Sequence, residues 1–219
     1  MISYEQIKNN EEIRTDIRAA DESLCALGFT EHNLAHVTRV ATVAGDLLSR
    51  LGYDEHTVTL AKIAAHMHDI GNLINRVDHS QSGAIMTFRI LDRMGMPPAD
   101  IAAICTAIGN HDEGTGVPVN EISAALILAD KCDVRKTRVR NDDEKGFDIH
   151  DRVNYSVQNA TLDLNEQARE ITLSLTIDTA YSSVVDYFEI FLERMLLCRR
   201  AAEKLSLAFR LNVNGQTLL

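Results

Sequence analysis

The chain has 219 residues, 45% of them hydrophobic and 25% charged, with only 3 Pro and 11 Gly. That composition gives an ordered globular protein with enough length for one good core, and it excludes a disordered or fibrous chain. With 22 Lys and Arg against 32 Asp and Glu, the net charge is -10, so the surface repels nucleic-acid phosphates and anionic lipid, and an anionic substrate must meet local positive charge.

The polar opening MISYEQIKNNEEIR lacks an apolar signal core. No apolar run approaches the roughly 20 residues of a membrane span, so the sequence reads as soluble and cytoplasmic. Cys25, Cys105, Cys132 and Cys198 form no CxxC pair and are expected as reduced, mostly buried thiols.

A leading helix is expected over about residues 3–27, followed by one that Thr30 caps. The latter carries the stripe Val40, Ala44, Leu47 and Leu51 and stops at Gly52. Asp54 caps a helix running to Gly71, and another spans His79 to Gly95. Pro97 and Pro98 open the next, to about His111, and Asn120 caps a sixth that continues through Asp130 to about Arg138. The polar stretch Asn141 to Lys145 reads as a linker.

Alternation then replaces the helical period. Residues 171–177, Ile-Thr-Leu-Ser-Leu-Thr-Ile, mark a strand with one wet face. Val153, Tyr155, Val157, Leu162 and Leu164 give its partner, with a bulge near Asn159 to Thr161. A helix over Tyr181 to Ser206 and a strand over Leu207 to Val213 complete a β-β-α-β unit, ending at the Asn214-Gly215 turn. The fold class is mainly α: a helical domain over 1–145, then a small α+β unit over 146–219. That unit is too small to stand alone and is expected to dock on the helical part or on a second subunit, its edge strand offering a homodimer contact.

The chemistry lies in the histidines and acids. His36 sits on the apolar face of its helix. In Ala65-His66-Met67-His68-Asp69-Ile70-Gly71, adjacent His68 and Asp69 at a helix end can serve one metal, whereas His66 faces elsewhere. Asp69 has two oxygens and can bridge to a second ion. Asp130 lies in the apolar run Ile127-Leu128-Ala129-Asp130-Lys131, where a carboxylate needs a metal or a cationic neighbour. His32 lies one turn before His36 and is expected in solvent, and His56 and His150 read as surface residues.

His36, His68-Asp69 and Asp130, in this order and spacing, resemble the H…HD…D signature of the HD-domain metal-dependent phosphohydrolases. The likeness covers about residues 30–140 and extends to the phrases His36-x-x-Arg39-Val40, Ala65-x-x-His68-Asp69-Ile70-Gly71 and Ala129-Asp130-Lys131-x-Asp133. It implies an HD helical bundle in which His36, His68, Asp69 and Asp130 hold a first metal. His79 and His111 fall where dinuclear subfamilies place ligands of a second. The implied activity is hydrolysis of a small, nucleotide-like phosphate ester or anhydride by a metal-activated water, with Asp69 as the catalytic residue. The implied cofactors are two divalent transition-metal ions among Fe, Mn, Co, Ni and Zn.

Two departures matter. Asn72 stands where such enzymes often carry a phosphate-binding Lys, so phosphate binding is assigned to Lys131 and Arg135, with Arg39 and Arg76 also in reach. The segment His111 to Pro118 resembles the cyclic-dinucleotide phosphodiesterases of the HD-GYP type, but Val117 replaces their Tyr, which argues against that substrate. A non-catalytic nucleotide sensor and a di-iron oxygenase are the competing readings. Turnover with added metal separates the first, and a requirement for dioxygen the second.

Overall fold

The computed structural model describes residues 2–140 and 147–219; the linker expected at 141–145 lies outside them. The fold is mainly α, with helices followed by a small sheet, as the two periodicities imply. The helices are α1 (Tyr4–Lys8), α2 (Glu11–Ala26), α3 (Leu34–Arg50), α4 (Glu55–Met67), α5 (His79–Arg93), α6 (Pro98–Gly109), α7 (Glu121–Lys131), α8 (Ile149–Ser156) and α9 (Val184–Lys204). Strands are β1 (Val157–Asn165), β2 (Glu170–Ile177), β3 (Ala208–Val213) and β4 (Gln216–Thr217). No helix among the described residues is long and apolar enough to cross a membrane.

Local chemistry fixes most boundaries. Asp54 accepts from Thr57 N at the start of α4, and Asn120 with Ser123 closes a capping box on α7. The expected leading helix is two helices, because Asn10 caps α2 by accepting from Ile13 N while Ser3 and Gln6 box the short α1. Asn33, not Thr30, caps α3, accepting from Ala35 N and His36 N, so His32 precedes the helix. α4 stops at Met67 and gives way to a 3-10 turn over Ile70–Leu73. α7 likewise ends at Lys131 instead of Arg138, which lies in a separate 3-10 turn over Lys136–Arg138.

The sheet runs β1-β2-β3-β4, with β1 antiparallel to β2, β2 parallel to β3 across the α9 crossover, and β3 antiparallel to β4. Ile171, Leu173, Leu175 and Ile177 of β2 are buried on one face together with Phe209, Leu211 and Val213 of β3. Residues 149–156 are helical, correcting the strand expected from Val153, and the register shift falls at Val157/Asn159, just before its expected place. α9 packs along α7, and one apolar core runs from α1 through the bundle to β3. Cys132 and Cys198 are buried at that junction with their sulfurs 3.9 Å apart, whereas Cys105 is half-buried and Cys25 exposed.

Candidate metal centre

Five elements and the turns between them converge on one end of the bundle. α3 delivers His36, the end of α4 delivers His68 and Asp69, α5 opens with His79, the turn after α6 carries His111, and α7 ends with Asp130. All six residues are less than a tenth exposed. Gly71 is what lets the Ile70–Leu73 turn approach α5: a Cβ there would lie 2.0 Å from the His79 carbonyl oxygen and 2.4 Å from Gly83 N.

The first cluster is tight. His36 Nε2 lies 3.4 Å from Asp130 Oδ1 and 3.7 Å from Asp69 Oδ2, and His68 Nε2 lies 3.5 Å and 3.1 Å from the same two oxygens. His36, His68 and Asp130 present donor atoms that lie within 4.8 Å of one another, as do His68, Asp69 and His111. Three of these buried atoms, His36 Nε2, His68 Nε2 and Asp69 Oδ2, have no hydrogen-bond partner; the close approach of His68 to Asp69 is a charge contact without hydrogen-bond alignment. Buried polar atoms are normally satisfied, so this cluster of orphans fits a missing cation.

Second contacts set the rings. His36 Nδ1 donates to Asp133 Oδ2 at 2.9 Å, and His68 Nδ1 donates to the Ala65 carbonyl at 2.8 Å. His79 Nδ1 lies 3.1 Å from the Arg76 carbonyl and His111 Nδ1 2.6 Å from that of Ile108. A carbonyl or carboxylate only accepts, so His36, His68 and His111 carry a proton on Nδ1 and turn Nε2 inward. His79 Nε2 lies 3.2 Å from His111 Nε2, and Arg76 Nη1 lies 3.0 Å from His79 Nε2 and 3.1 Å from its Nδ1. Asp69 Oδ1 lies 3.5 Å from His79 Nε2, so the two oxygens of Asp69 face the two clusters separately.

Burial raises the Asp69 and Asp130 carboxyls, but charged neighbours outweigh it and hold both well below the usual carboxylate range: His68 foremost for Asp69, Lys131 and then His68 for Asp130. Burial lowers His68, yet Asp69 and Asp130 push it up to about 10, so without metal a proton occupies the position a cation would take. Burial, reinforced by the Lys131 charge, lowers His111, which keeps its Nε2 free to ligate.

Other residues take places the sequence did not assign. Asn72 Nδ2 donates to Asp69 Oδ1 at 3.0 Å and so orients the carboxylate that faces both clusters. Lys131 Nζ contacts Asp130 Oδ2 at 2.8 Å and Glu113 Oε2 at 2.9 Å, and lines the cleft. Arg135 lies outside that cleft, forking onto Asp133 at 2.6 and 3.0 Å, so it does not join Lys131 in the phosphate-binding role expected of both. Arg39 also spends its guanidinium on Asp133. His32 packs edge-on against His36 and lines the cleft instead of facing open solvent. His66 turns away, its Nδ1 3.3 Å from Tyr4 Oη, and His56 pairs with Asp100 at 2.9 Å.

The clusters open into a cleft of about 800 Å³. Asp69, His79, Asp130, Lys131 and Arg194 line its floor, and the C-terminal unit walls it through α8 and α9, Phe188 among them. No sequence signal ties α9 to this site, because Arg194 and its partner Glu113 are 81 residues apart.

The HD domain family model matches residues 33–138. Among solved structures, the crystal structure of a predicted HD superfamily hydrolase from an uncultured Thermotogales bacterium is 28% identical, covering 60% of this chain and 71% of that one with a TM-score of 0.47. The curated proteins contain no match. The family match encloses all six convergent His and Asp residues, so residues 33–138 are similar to the HD domain over the whole of the candidate centre.

Proposed function

We propose that the protein is a metal-dependent phosphohydrolase acting on a small phosphate ester or anhydride of nucleotide size. The observation that carries this reading is Asp69, a buried carboxylate with one oxygen facing His36 and His68 and the other facing His79, beside orphaned inward nitrogens. In this reading His36, His68, Asp69 and Asp130 hold one ion, and Asp69, His79 and His111 a second. The nitrogen and oxygen donors without thiolate suit Fe, Mn, Co, Ni or Zn. Ions so bound supply an acidified water nucleophile and neutralise phosphoryl charge.

The chain's own residues do the rest. Asp69 keeps the two positions in register and accepts a hydrogen bond from the attacking water. Asp133, Ala65, Arg76 and Ile108 fix the rings through Nδ1, and Lys131 offsets the Asp130 charge. The cleft volume lies within the range of about 300–1,000 Å³ typical of small-ligand sites. A net charge of -10 disfavours a long nucleic acid as substrate.

A panel of nucleotides, dinucleoside polyphosphates and simple phosphate esters, incubated anaerobically with each divalent metal, tests the reading. Metal-dependent phosphate release is expected. A protein that binds nucleotide without turnover, or that needs dioxygen, contradicts it.

A further inference from the structure

Four Lys or Arg side chains line the cleft: Arg76, Lys131, Arg138 and Arg194. Three already have a terminal nitrogen engaged. Lys131 is 4% exposed and neutralised by Asp130 and Glu113. Arg138 is 5% exposed, with Nε on the Glu31 carbonyl and Nη1 on the Asp133 carbonyl. Arg76 places Nη1 3.0 Å from His79 Nε2 and stacks over Phe29.

Arg194 differs. Its Nε donates to Glu113 Oε1 at 2.8 Å and its guanidinium lies 4.4 Å above the Phe191 ring, which together fix its plane. Nη1 and Nη2 have no hydrogen-bond partner among the described residues, and the side chain keeps 20% exposure in the cleft that Asp69 and Asp130 line. A guanidinium held by Nε with both Nη groups unspent is a preorganised fork for a tetrahedral oxyanion.

We propose that Arg194, delivered by α9 of the C-terminal unit, binds the substrate's phosphoryl group, so that this unit completes the catalytic cleft. The inference rests on the phosphohydrolase reading and gives the charge role that Lys131 and Arg135 are too committed to fill. It also assigns a purpose to α9 at the site: without this helix the cleft has no guanidinium with both Nη groups unspent among its described residues.

The test titrates inorganic phosphate into metal-loaded wild-type protein, Arg194→Lys and Arg194→Gln by calorimetry, with bound metal counted in each. Arg194→Gln should weaken phosphate binding by about tenfold or more, with Arg194→Lys between it and wild type and the metal count unchanged in all three. The same order should appear in KM during turnover.

Equal phosphate affinity in wild type and Arg194→Gln overturns the assignment, as does a wild type that binds no phosphate. Loss of metal in parallel with phosphate, without recovery in Arg194→Lys, also overturns it, because Arg194 would then act only as a prop for Glu113. Ester hydrolysis with no effect of Arg194→Gln sinks this inference alone. Arg194-dependent phosphate binding without hydrolysis sinks the phosphohydrolase reading alone.

Discussion

Asp133 shows how a residue remote from the cleft can govern the centre. It accepts a hydrogen bond from His36 Nδ1 and is itself held by Arg39 and Arg135. Burial raises its carboxyl, but those hydrogen bonds hold it below the usual range. Asp133→Asn keeps the shape and removes the charge, so metal affinity should fall by about 10- to 100-fold in competition with a chromophoric chelator; an unchanged affinity contradicts the role. His66 gives a pH test. Burial, aided by the His68 charge, lowers it from 6.5 to about 4, so the folded state binds fewer protons than the unfolded state between those values. Stability should therefore decline as pH falls from 6.5 towards 4, and His66→Phe should flatten that part of the Tm-against-pH curve. A slope identical to wild type would refute it. At this scale the His and Asp residues that converge were legible because the motif names them, whereas the work of Asp133, Asn72 and Arg135 depends on contacts that only folding makes.

Helix starts were readable where a cap sits beside the first turn, as at Asp54 and Asn120, and stops where Gly52 and Gly95 take positive φ. Errors arose where two periods fit the same residues. Val153, Tyr155 and Val157 alternate like a strand, yet Ile149 and Val153 also keep helical spacing. Asp148 caps that helix and Asn154 Nδ2 bonds the His150 carbonyl one turn back, which decides for α8. α7 was overextended because the basic run after Lys131 suits a helix end, but Arg138 instead ties this segment to the Glu31 carbonyl. The contact of the Ile70–Leu73 turn with α5 at Gly71 invites a direct test. Gly71→Ala forces a Cβ onto backbone atoms, so urea unfolding should show a loss of about 3 kcal/mol, with reduced metal content as His79 shifts. Wild-type stability in this variant would mean the approach is looser than described.

Across the whole molecule, the change of period near residue 150 does not divide the core. α9 buries Tyr187, Phe191, Met195, Cys198 and Ala201, packs along α7, and shares one apolar cluster with the bundle. Calorimetry of the full chain should give one cooperative transition; two separable ones would mean that the parts fold independently. The convergence of six side chains from across residues 33–138 is the central claim, and elemental analysis of carefully purified protein tests it most directly. Two transition-metal ions per chain are expected, falling when His79 or His111 is replaced by Ala; protein that holds no metal and takes none up on reconstitution would contradict the account.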